Sequence, residues 1–416
     1  MENTNNKPVL RFKEFTDTWE QRELWSLTIW DKKFNEVEKE KQHRVIKYPY
    51  VLADKLNSLE DNSGKVLLLS TGSYVGFTTE EKAGSSLCEG EVVAIPWGGT
   101  PNIKYWSGKF VTADNRIATS NDVQLLRNKF LYYWMNNQID NIDKIYRGAS
   151  IKHPSMTDIL GMAILYPSVN EQEKITSILT SLDSLITLHQ RKYDKLINTK
   201  KALLDEMFPK AGEITPKLRF RGFTDTWEQC KFKDLAETKR GLTYKPIDVS
   251  TNGIRVLRSS NINEDYFEQK EDDVFVAQNA INIDYVKSKD ILITSANGSS
   301  RLVGKHAIIT NMADNTAVHG GFMLLARTAY PYFLNASMSS RWYEKFINLN
   351  VAGGNGAIGN LSKSNLDDYD ILAPSDAEKL KIGELFKSID SLITLHQRKY
   401  EMLQNIKKAL LQKMFV

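Results

Sequence analysis

The sequence predicts an α+β protein in which two mixed α/β domains are joined by two long antiparallel coiled-coil helices, with a pseudo-two-fold internal repeat. Three observations predict this fold: a framing block that occurs twice, a long amphipathic helix that occurs twice, and unrelated sequence in between. Because the chain has 416 residues, each half is long enough to bury its own core. The predicted boundaries are 1–170 for the first domain, 171–209 for the central helix, 210–377 for the second domain and 378–416 for the C-terminal helix.

The internal repeat is the clearest feature of the sequence. Residues 10–21 read LRFKEFTDTWEQ and residues 218–229 read LRFRGFTDTWEQ, so ten of twelve positions are identical. Residues 181–208 and 388–415 match at 21 of 28 positions. The two pairs are offset by 208 and 207 residues, which indicates that one long segment was duplicated.

The middles of the two copies, residues 22–145 and 230–350, show almost no similarity to each other. A duplication that drifts evenly along its length would not leave near-identical ends around unrelated middles. Equivalent scaffolds that carry two different specificities would.

Each copy ends in an amphipathic helix, because its apolar residues recur at spacings of three, four and seven. Pro167 and Pro374 precede the two helices and Pro209 ends the first, so each runs about 37 residues, or roughly 55 Å. Two helices with the same apolar stripe can bury it against each other as an antiparallel pair. The stripe residues predicted to form this interface, or to contact a partner, are Leu182, Leu185, His189, Tyr193, Leu196, Leu203, Ile389, Leu392, His396, Tyr400, Leu403 and Leu410.

Two histidines, His189 and His396, fall on the stripe and are interpreted as core or interface residues rather than metal ligands or catalytic bases. The basic segments 190–192 and 397–399 could contact a phosphate backbone, although a solvated helix face explains them as well.

The divergent middles combine short apolar runs typical of buried strands (66–70, 92–95 and 291–294) with aromatic amphipathic helices (130–142 and 332–348). The loops after the strands are rich in residue types that read base edges or hold phosphates. Ser, Asn and Gly also build ordinary turns, and that alternative stays open for every single residue. The candidate DNA-binding residues are Ser73, Tyr74, Trp97, Thr100, Asn102, Lys104, Arg116, Arg258, Ser260, Asn261, Asn297, Ser299 and Arg301.

Composition limits the remaining possibilities. A net charge of +4 neither requires nor excludes a nucleic-acid partner, because basic residues can concentrate on one face. Cys88 and Cys230 form no metal-binding or disulfide pattern, so we expect two reduced cysteines and no metal site. Residues 1–8 are polar and no apolar run is long enough to span a membrane, so we expect a cytoplasmic protein without a signal peptide.

The sequence contains no recognisable catalytic constellation. It has neither a P-loop nor the Asn/Asp-Pro-Pro-Tyr/Phe motif of amino-methyltransferases, and the glycine-dense segment 353–356 is interpreted as a turn. We therefore expect a chain that is not an enzyme and carries no cofactor.

The framing block, the Pro-Ser entry into each helix and the LITLHQRKY…KKALL helix together resemble the specificity subunit of type I restriction-modification systems, over essentially the whole chain. The resemblance implies two target recognition domains, each of which reads half of a split, asymmetric DNA site, with the helices setting the gap between the halves. It implies as partners double-stranded DNA, two modification subunits that use S-adenosylmethionine to methylate adenine, and restriction subunits that translocate and cleave with ATP and Mg²⁺. Since base-reading residues in that family vary with the target, the resemblance assigns no role to individual loop residues.

Two other functions stay open at this point. A fused restriction or modification enzyme would need catalytic residues that match no known catalytic motif. A coiled-coil adaptor with two protein-binding domains would explain the helices, but less readily the matched frames around unlike middles.

Overall fold

A computed structural model describes residues 7–351 and 359–416, so the segment 353–356 that was interpreted as a turn lies outside the described residues. The chain divides into two compact units. Unit 1 combines residues up to 188 with residues 399–416, and unit 2 comprises residues 189–398. Each unit therefore contains parts of both repeat copies.

In unit 1, the first divergent middle forms strands and short helices between the framing block and the first long helix. In chain order these are β1 (Glu20–Glu23), α1 (Leu24–Leu27), β2 (Thr28–Trp30), α2 (Ala53–Ser58), β3 (Val66–Leu69), β4 (Val75–Thr78), α3 (Glu80–Ala83), β5 (Cys88–Pro96), β6 (Lys104–Thr112), β7 (Asn115–Ser120), α4 (Asn128–Asn137), α5 (Ile139–Ile145), β8 (Tyr146–Arg147), β9 (His153–Pro154), α6 (Met156–Leu160), β10 (Ala163–Tyr166) and the beginning of α7 (Val169–Met207).

The main sheet of unit 1 has the order β2-β7-β5-β6-β3-β4. Its pairs are antiparallel except β3 and β6, which run parallel. Strand β5 is buried on both faces: Val93 and Ile95 join the core that contains α4, whereas Val92 and Ala94 join the opposite cluster. Alternation of side chains along a strand explains this division, and the continuous apolar run is the pattern expected of a strand covered on both sides.

In unit 2, the second divergent middle again forms strands with short helices, followed by the second long helix. In chain order these are β11 (Glu228–Lys231), α8 (Phe232–Leu235), β12 (Glu237–Arg240), β13 (Val249–Leu257), β14 (Ile262–Asn263), β15 (Tyr266–Phe267), β16 (Val274–Val276), β17 (Ile291–Thr294), β18 (Ala296–Asn297), β19 (His306–Ile308), β20 (Ala317–His319), β21 (Met323–Arg327), α9 (Pro331–Met338), α10 (Arg341–Asn350), β22 (Gly359–Asn360), α11 (Lys363–Asp367), β23 (Asp370–Ala373) and α12 (Asp376–Met414).

The two unlike middles share a topology. The order β2-β7-β5 in unit 1 corresponds to β12-β21-β17 in unit 2, and the parallel pair β3 and β6 corresponds to β13 and β20. The hydrogen bond that follows each parallel pair is also the same. Ala113 donates its amide to the carbonyl of Leu69 (3.0 Å) in unit 1, and Gly320 donates its amide to the carbonyl of Leu257 (2.8 Å) in unit 2. Unrelated sequences in the two copies thus build the same arrangement of strands.

The framing blocks make the same contacts in both units. Arg11 forms a two-bond ion pair with Glu171 (2.7 and 2.8 Å), and Arg219 forms one with Glu378 (2.9 and 2.7 Å). The block then continues into β1 or β11, which pairs with the strand before the long helix, β10 or β23. These contacts explain why the framing sequence is nearly identical in the two copies.

Each framing block is also hydrogen-bonded to the end of a long helix. The amide of Leu10 donates to the carbonyl of Lys413 (2.8 Å), and the amide of Leu218 donates to that of Glu206 (2.8 Å). The core of unit 1 consequently includes Phe415 from the end of the second copy, and the core of unit 2 includes Phe208 from the end of the first. Each core is completed by a helix end from the other copy of the repeat.

The long helices α7 and α12 contain 39 residues each, two more than the periodicity predicts. The predicted antiparallel pairing is confirmed within each unit. In unit 1, Asp183 of α7 pairs with Lys407 of α12 (2.5 Å); in unit 2, Lys200 of α7 pairs with Asp390 of α12 (2.9 Å). Asp390 is the repeat equivalent of Asp183, and Lys407 is that of Lys200, each 207 residues further along the chain. The two ion pairs are therefore equivalent and set the same register between the helices.

The aromatic helices predicted at 130–142 and 332–348 are each divided in two. The first stretch becomes α4 and α5, which meet at Gln138, and the second becomes α9 and α10, separated by Ser339 and Ser340. In the second break both serine hydroxyls donate to carbonyls of the preceding turn, Asn335 (3.0 Å) and Ser337 (2.7 Å). Side-chain bonds of this kind compete with the helical ladder, which periodicity alone does not reveal. Within residues 7–351 and 359–416, no helix is long and apolar enough to cross a membrane.

Candidate nucleic-acid interface

In unit 1, the loops that follow β3 and β5 lie side by side, and two of the candidate residues hold them together. The Lys104 ammonium donates to the carbonyl and hydroxyl of Ser70 (2.7 and 2.9 Å), and the Asn102 amide donates to the carbonyl of Gly72 (2.8 Å). Burial lowers the pKa of Lys104 to about 8, because the ammonium has exchanged water for these oxygens. Lys104 and Asn102 therefore shape the loop rather than project from it.

Trp97 and Arg116 form the centre of the same surface. The Arg116 guanidinium lies over the Trp97 ring at 4.1 Å, is only 3% exposed and pairs with Asp114 (3.1 Å). His153 also contacts Trp97. The two ring centroids are 5.3 Å apart, and Nδ1 of His153 lies 2.7 Å from the Trp97 carbonyl oxygen. Arg116 thus supports the Trp97 loop, whereas His153 is exposed at its rim.

The other candidates of unit 1 differ in exposure. Ser73 and Thr100 are exposed at the loop tips, where a base edge or phosphate could reach them. Tyr74 is half-buried and its ring packs against the cluster beneath β3 and β4. Sequence reasoning missed His153, whose only signal was its place beside the loop that contains Gly148.

In unit 2, the loops after β13 and β17 meet in the same way. The Asn297 amide donates to the hydroxyl of Ser259 (3.0 Å) and its carbonyl oxygen accepts from the amide of Ser299 (2.9 Å). Asn261 is fully buried, where its amide donates to Asp273 (2.7 Å) and to the carbonyl of Glu268 (2.9 Å). Asn261 therefore fixes the loop from inside, while Asn297 is half-buried.

Three further candidates of unit 2, Ser260, Ser299 and Arg301, are exposed, and Arg258 is half-buried. Arg258 donates its backbone amide to the side-chain oxygen of Asn261 (2.7 Å), so the turn that carries its guanidinium is fixed. The half-buried Arg258 guanidinium also donates to the carbonyl of Asp272 (3.5 Å), whereas Arg301 presents an exposed guanidinium, a group that can pair with guanine or with a phosphate.

The loops of unit 2 enclose an open groove of about 780 Å³. Its walls include Arg258 and Asn297, and it also contains Tyr244 and Phe322, which sequence reasoning missed. The signal available for Phe322 was the glycine pair that precedes it at the start of an apolar run. We call this space the unit-2 groove; its lining residues are Leu242, Thr243, Tyr244, Pro246, Val249, Arg258, Ser259, Ala296, Asn297, Gly298, Gly320, Gly321, Phe322 and Met323.

On the long helices, the stripe residues divide by burial. Ile389 is buried, and most of the others are half-buried. The two histidines meet, with Nδ1 of His189 2.8 Å from Nδ1 of His396. Leu185 and Leu392 are 43% and 44% exposed, so they stay predicted contacts for a partner. The half-buried stripe residues are Leu182, His189, Tyr193, Leu196, Leu203, His396, Tyr400, Leu403 and Leu410.

The part of the chain that the structure describes contains no group of three or more His, Cys, Asp or Glu side chains placed to hold a metal ion. Cys88 is buried and Cys230 half-buried, and neither forms a disulfide. What the arrangement offers chemically is hydrogen-bond donors, acceptors and aromatic faces at the strand ends, which suit recognition.

Comparison with known proteins agrees with this arrangement. A family model described as the type I restriction modification DNA specificity domain matches residues 16–198 and, again, residues 224–405. The specificity subunit of the type I restriction enzyme MjaVIII of Methanocaldococcus jannaschii is 20% identical over 335 residues, which is 77% of this chain and 77% of that protein.

The crystal structure of the S subunit of a type I restriction-modification system from M. genitalium has the same fold. It covers 99% of each chain with a TM-score of 0.66 and 17% sequence identity. At this identity the likeness concerns the fold alone.

Proposed function

The chain belongs to the family of type I restriction-modification DNA specificity subunits, and on that premise we propose that its two units read the two halves of a bipartite, asymmetric DNA site. The family provides sequence specificity rather than catalysis. The target recognition domains are then residues 1–170 and 210–377, joined by the helical segments 171–209 and 378–416.

One observation carries the proposal: the same strand framework presents chemically different surfaces in the two units. The amide of Trp97 donates to the carbonyl of Asp114 (3.0 Å), and at the corresponding position Ser295 donates to Phe322 (2.9 Å). A tryptophan and an aspartate in one unit thus correspond to a serine and a phenylalanine in the other. Two half-sites of different sequence require such a difference, since sequence is read by side chains at base edges.

The helices would set the gap between the half-sites. Each has 39 residues and is about 58 Å long, and the two symmetric ion pairs, Asp183–Lys407 and Lys200–Asp390, fix one register between them. A rigid spacer of fixed register is what a gap of fixed length requires.

Two modification subunits would dock on equivalent places of the helices. Leu185 and Leu188 are 43% and 44% exposed, and their repeat equivalents Leu392 and Leu395 are 44% and 45% exposed. Residues three apart lie on one helix face, so each pair forms a small apolar patch. Equal exposure at equivalent positions supports two identical partners.

The remaining activities would reside in these partners. The modification subunits would bind S-adenosylmethionine and methylate adenine, and restriction subunits would use ATP and Mg²⁺ to translocate and cleave the DNA. The assembled complex would act in the cytoplasm.

Sequencing of methylated bases in a host with and without the chain tests the proposal. We expect a split motif with a constant gap that disappears when the chain is removed. Replacing residues 22–145 by those of a relative should change one half of the motif and leave the other half and the gap unchanged. Unchanged methylation in the deletion strain, or a change in both halves of the motif, would refute it.

A helix insertion tests the spacer. One added turn of four residues beside His189 and one beside His396 lengthens both helices by about 6 Å and keeps their pairing. The gap should grow by one or two base pairs at about 3.4 Å per pair while both half-sites persist. Insertion of four residues in the surface loop at 60–64, as a control, should leave the gap unchanged.

A further inference from the structure

The unit-2 groove contains a side chain that the recognition of base edges alone does not explain. Phe322 is 69% exposed, although its backbone is firmly held, because its carbonyl accepts from the amides of Ser295 (2.9 Å) and Ala296 (3.1 Å). An aromatic ring on a rigid backbone at the edge of an apolar groove is available to a ligand at little cost in conformational entropy.

Several of the residues that line the groove are small, among them Gly298, Gly320 and Gly321. A side chain at Gly241 would lie 1.9 Å from the carbonyl of Gly320, and one at Gly321 would lie 3.0 Å from the Thr243 hydroxyl. These close approaches bring the segments 241–244 and 320–322 together with space above them. Ala296 and Gly298, which also line the groove, add little side-chain volume to it.

Unit 1 has different side chains at the corresponding positions. Trp97 stands where unit 2 has Ser295, and the Arg116 guanidinium covers its ring at 4.1 Å. Asp114 stands where unit 2 has Phe322, and it pairs with Arg116 (3.1 Å). The exposed aromatic ring at this position is therefore a property of unit 2.

The groove also offers polar groups suited to a nucleobase. Arg258 and Asn297 lie in its wall, and these side-chain types pair with guanine and adenine edges. Tyr244 adds a second aromatic ring, on which a base could stack. With about 780 Å³ the groove is as large as typical small-molecule sites, so a single base can enter it.

We propose that unit 2 binds an unstacked base of its half-site in this groove, while the Phe322 ring fills the gap that the base leaves in the DNA stack. The proposal rests on the proposed function, since it presumes that unit 2 reads one half-site. Apolar wedges between base steps kink the duplex and make recognition depend on how easily the step opens. The DNA would then be distorted in the half-site of unit 2 and not in that of unit 1.

The experiment uses the full chain in complex with its modification subunits and duplexes that carry 2-aminopurine, whose fluorescence rises when it leaves the stack. The probe replaces one base at a time in both half-sites. The methylated adenine is left out, because a methyltransferase must unstack its own target. The half-site of unit 2 is the one that persists when residues 22–145 are exchanged.

The variants are Phe322→Ala, Phe322→Tyr and, as a matched control, Leu349→Ala. Leu349 is 70% exposed in the same unit and does not line the groove, so its loss removes a comparable exposed apolar side chain elsewhere. Because Phe322 is mostly exposed, its substitution should leave the melting temperature of the complex unchanged.

We expect fluorescence to rise at one position in the half-site of unit 2 with the wild type, Phe322→Tyr and Leu349→Ala, and not with Phe322→Ala. Phe322→Ala should also bind the site about tenfold to a hundredfold more weakly, as loss of one stacked base contact predicts. A specific wild-type complex with no such position, or an equal rise with Phe322→Ala, would overturn this inference alone. A wild-type complex without any sequence preference would overturn the proposed function as well.

Discussion

Phe415, near the C-terminus, should stabilise unit 1, most of which is built from the first 188 residues. Phe415, the residue that follows α12, is 4% exposed and packs on Phe130 of unit 1 with a ring separation of 5.1 Å. Phe208, its equivalent in the first copy, is also 4% exposed and packs in unit 2 against Phe333 (5.9 Å) and Phe386 (6.0 Å). We predict that Phe415→Ala destabilises unit 1 and Phe208→Ala destabilises unit 2.

The magnitude follows from the burial of the ring. A phenylalanine buries roughly 150–250 Å² and each Å² contributes about 25 cal/mol, which gives about 4–6 kcal/mol as an upper range. Measured losses for Phe→Ala in protein cores are about 3–5 kcal/mol, so we expect about 4 kcal/mol for each variant. At about 1.4 kcal/mol per factor of ten, the opening equilibrium of the affected unit should rise about a thousandfold.

Amide hydrogen exchange with peptide resolution measures this directly, because the exchange of core amides reports the free energy of local opening. In Phe415→Ala, exchange should accelerate in β5, β7 and α4, and in Phe208→Ala it should accelerate in β17, β21 and α9. Phe415→Leu serves as the conservative control and should recover much of the loss. Faster exchange in unit 2, or equally in both units, after Phe415→Ala would refute the placement of the last turn of α12 in the core of unit 1.

Three further predictions concern the frame, the pH response and the reading surface. Arg11→Met and Arg219→Met each leave a carboxylate that is 1% exposed without its partner, so each should cost about 3 kcal/mol, in unit 1 and unit 2 respectively, as measured by denaturant unfolding. Burial lowers the pKa of His319 to about 4 from 6.5, so unit 2 should lose stability as the pH falls from about 6.5 towards 4. Burial raises the pKa of Asp31 to about 6 from 3.8, so unit 1 should gain stability as the pH falls through 6. When exchange at pH 7 and pH 5 is compared, the destabilisation of unit 2 at low pH should become smaller in His319→Gln, although the lowered pKa of buried His306 still contributes, and the stabilisation of unit 1 should become smaller in Asp31→Asn. Arg301→Ala should weaken DNA binding without lowering the melting temperature, and a salt dependence reduced by about one ion would identify a phosphate contact rather than a base contact.

The helices were predictable because their signal is strong and local. Apolar residues at helical spacing, with a proline before each helix and one after the first, predict 37 residues where the structure has 39. The duplication then supplies the pairing, since two copies of one stripe can cover each other. The shared strand order of the middles was not predictable, because it depends on pairings between distant strands, such as β3 with β6 and β13 with β20.

The sequence identifies candidate loops at the strand ends, but it does not reveal what the side chains of those loops contact. The loops at the strand ends do converge, but a residue type does not reveal where its side chain points. Lys104, Arg116 and Asn261 have the chemistry of DNA contacts, but they direct it to backbone carbonyls and carboxylates of the protein itself. Phe322 was overlooked for the opposite reason, because an apolar residue before a strand is ordinarily read as part of the core.

The contacts of the frame explain how near-identical ends and unlike middles can exist in one chain. Three kinds of contact join one frame segment to another. They are the two-bond ion pairs Arg11–Glu171 and Arg219–Glu378, the pairing of β1 with β10, and the hydrogen bond from Leu10 to Lys413. A substitution in the frame disturbs a contact on which a core depends, and the last residues of each copy serve the core that contains the other copy's middle. A substitution at a loop tip such as Ser73 or Ser299 disturbs no core contact, because these side chains are exposed. Stability and specificity therefore depend on different residues of this chain, so a new half-site can be acquired by changing the middle alone.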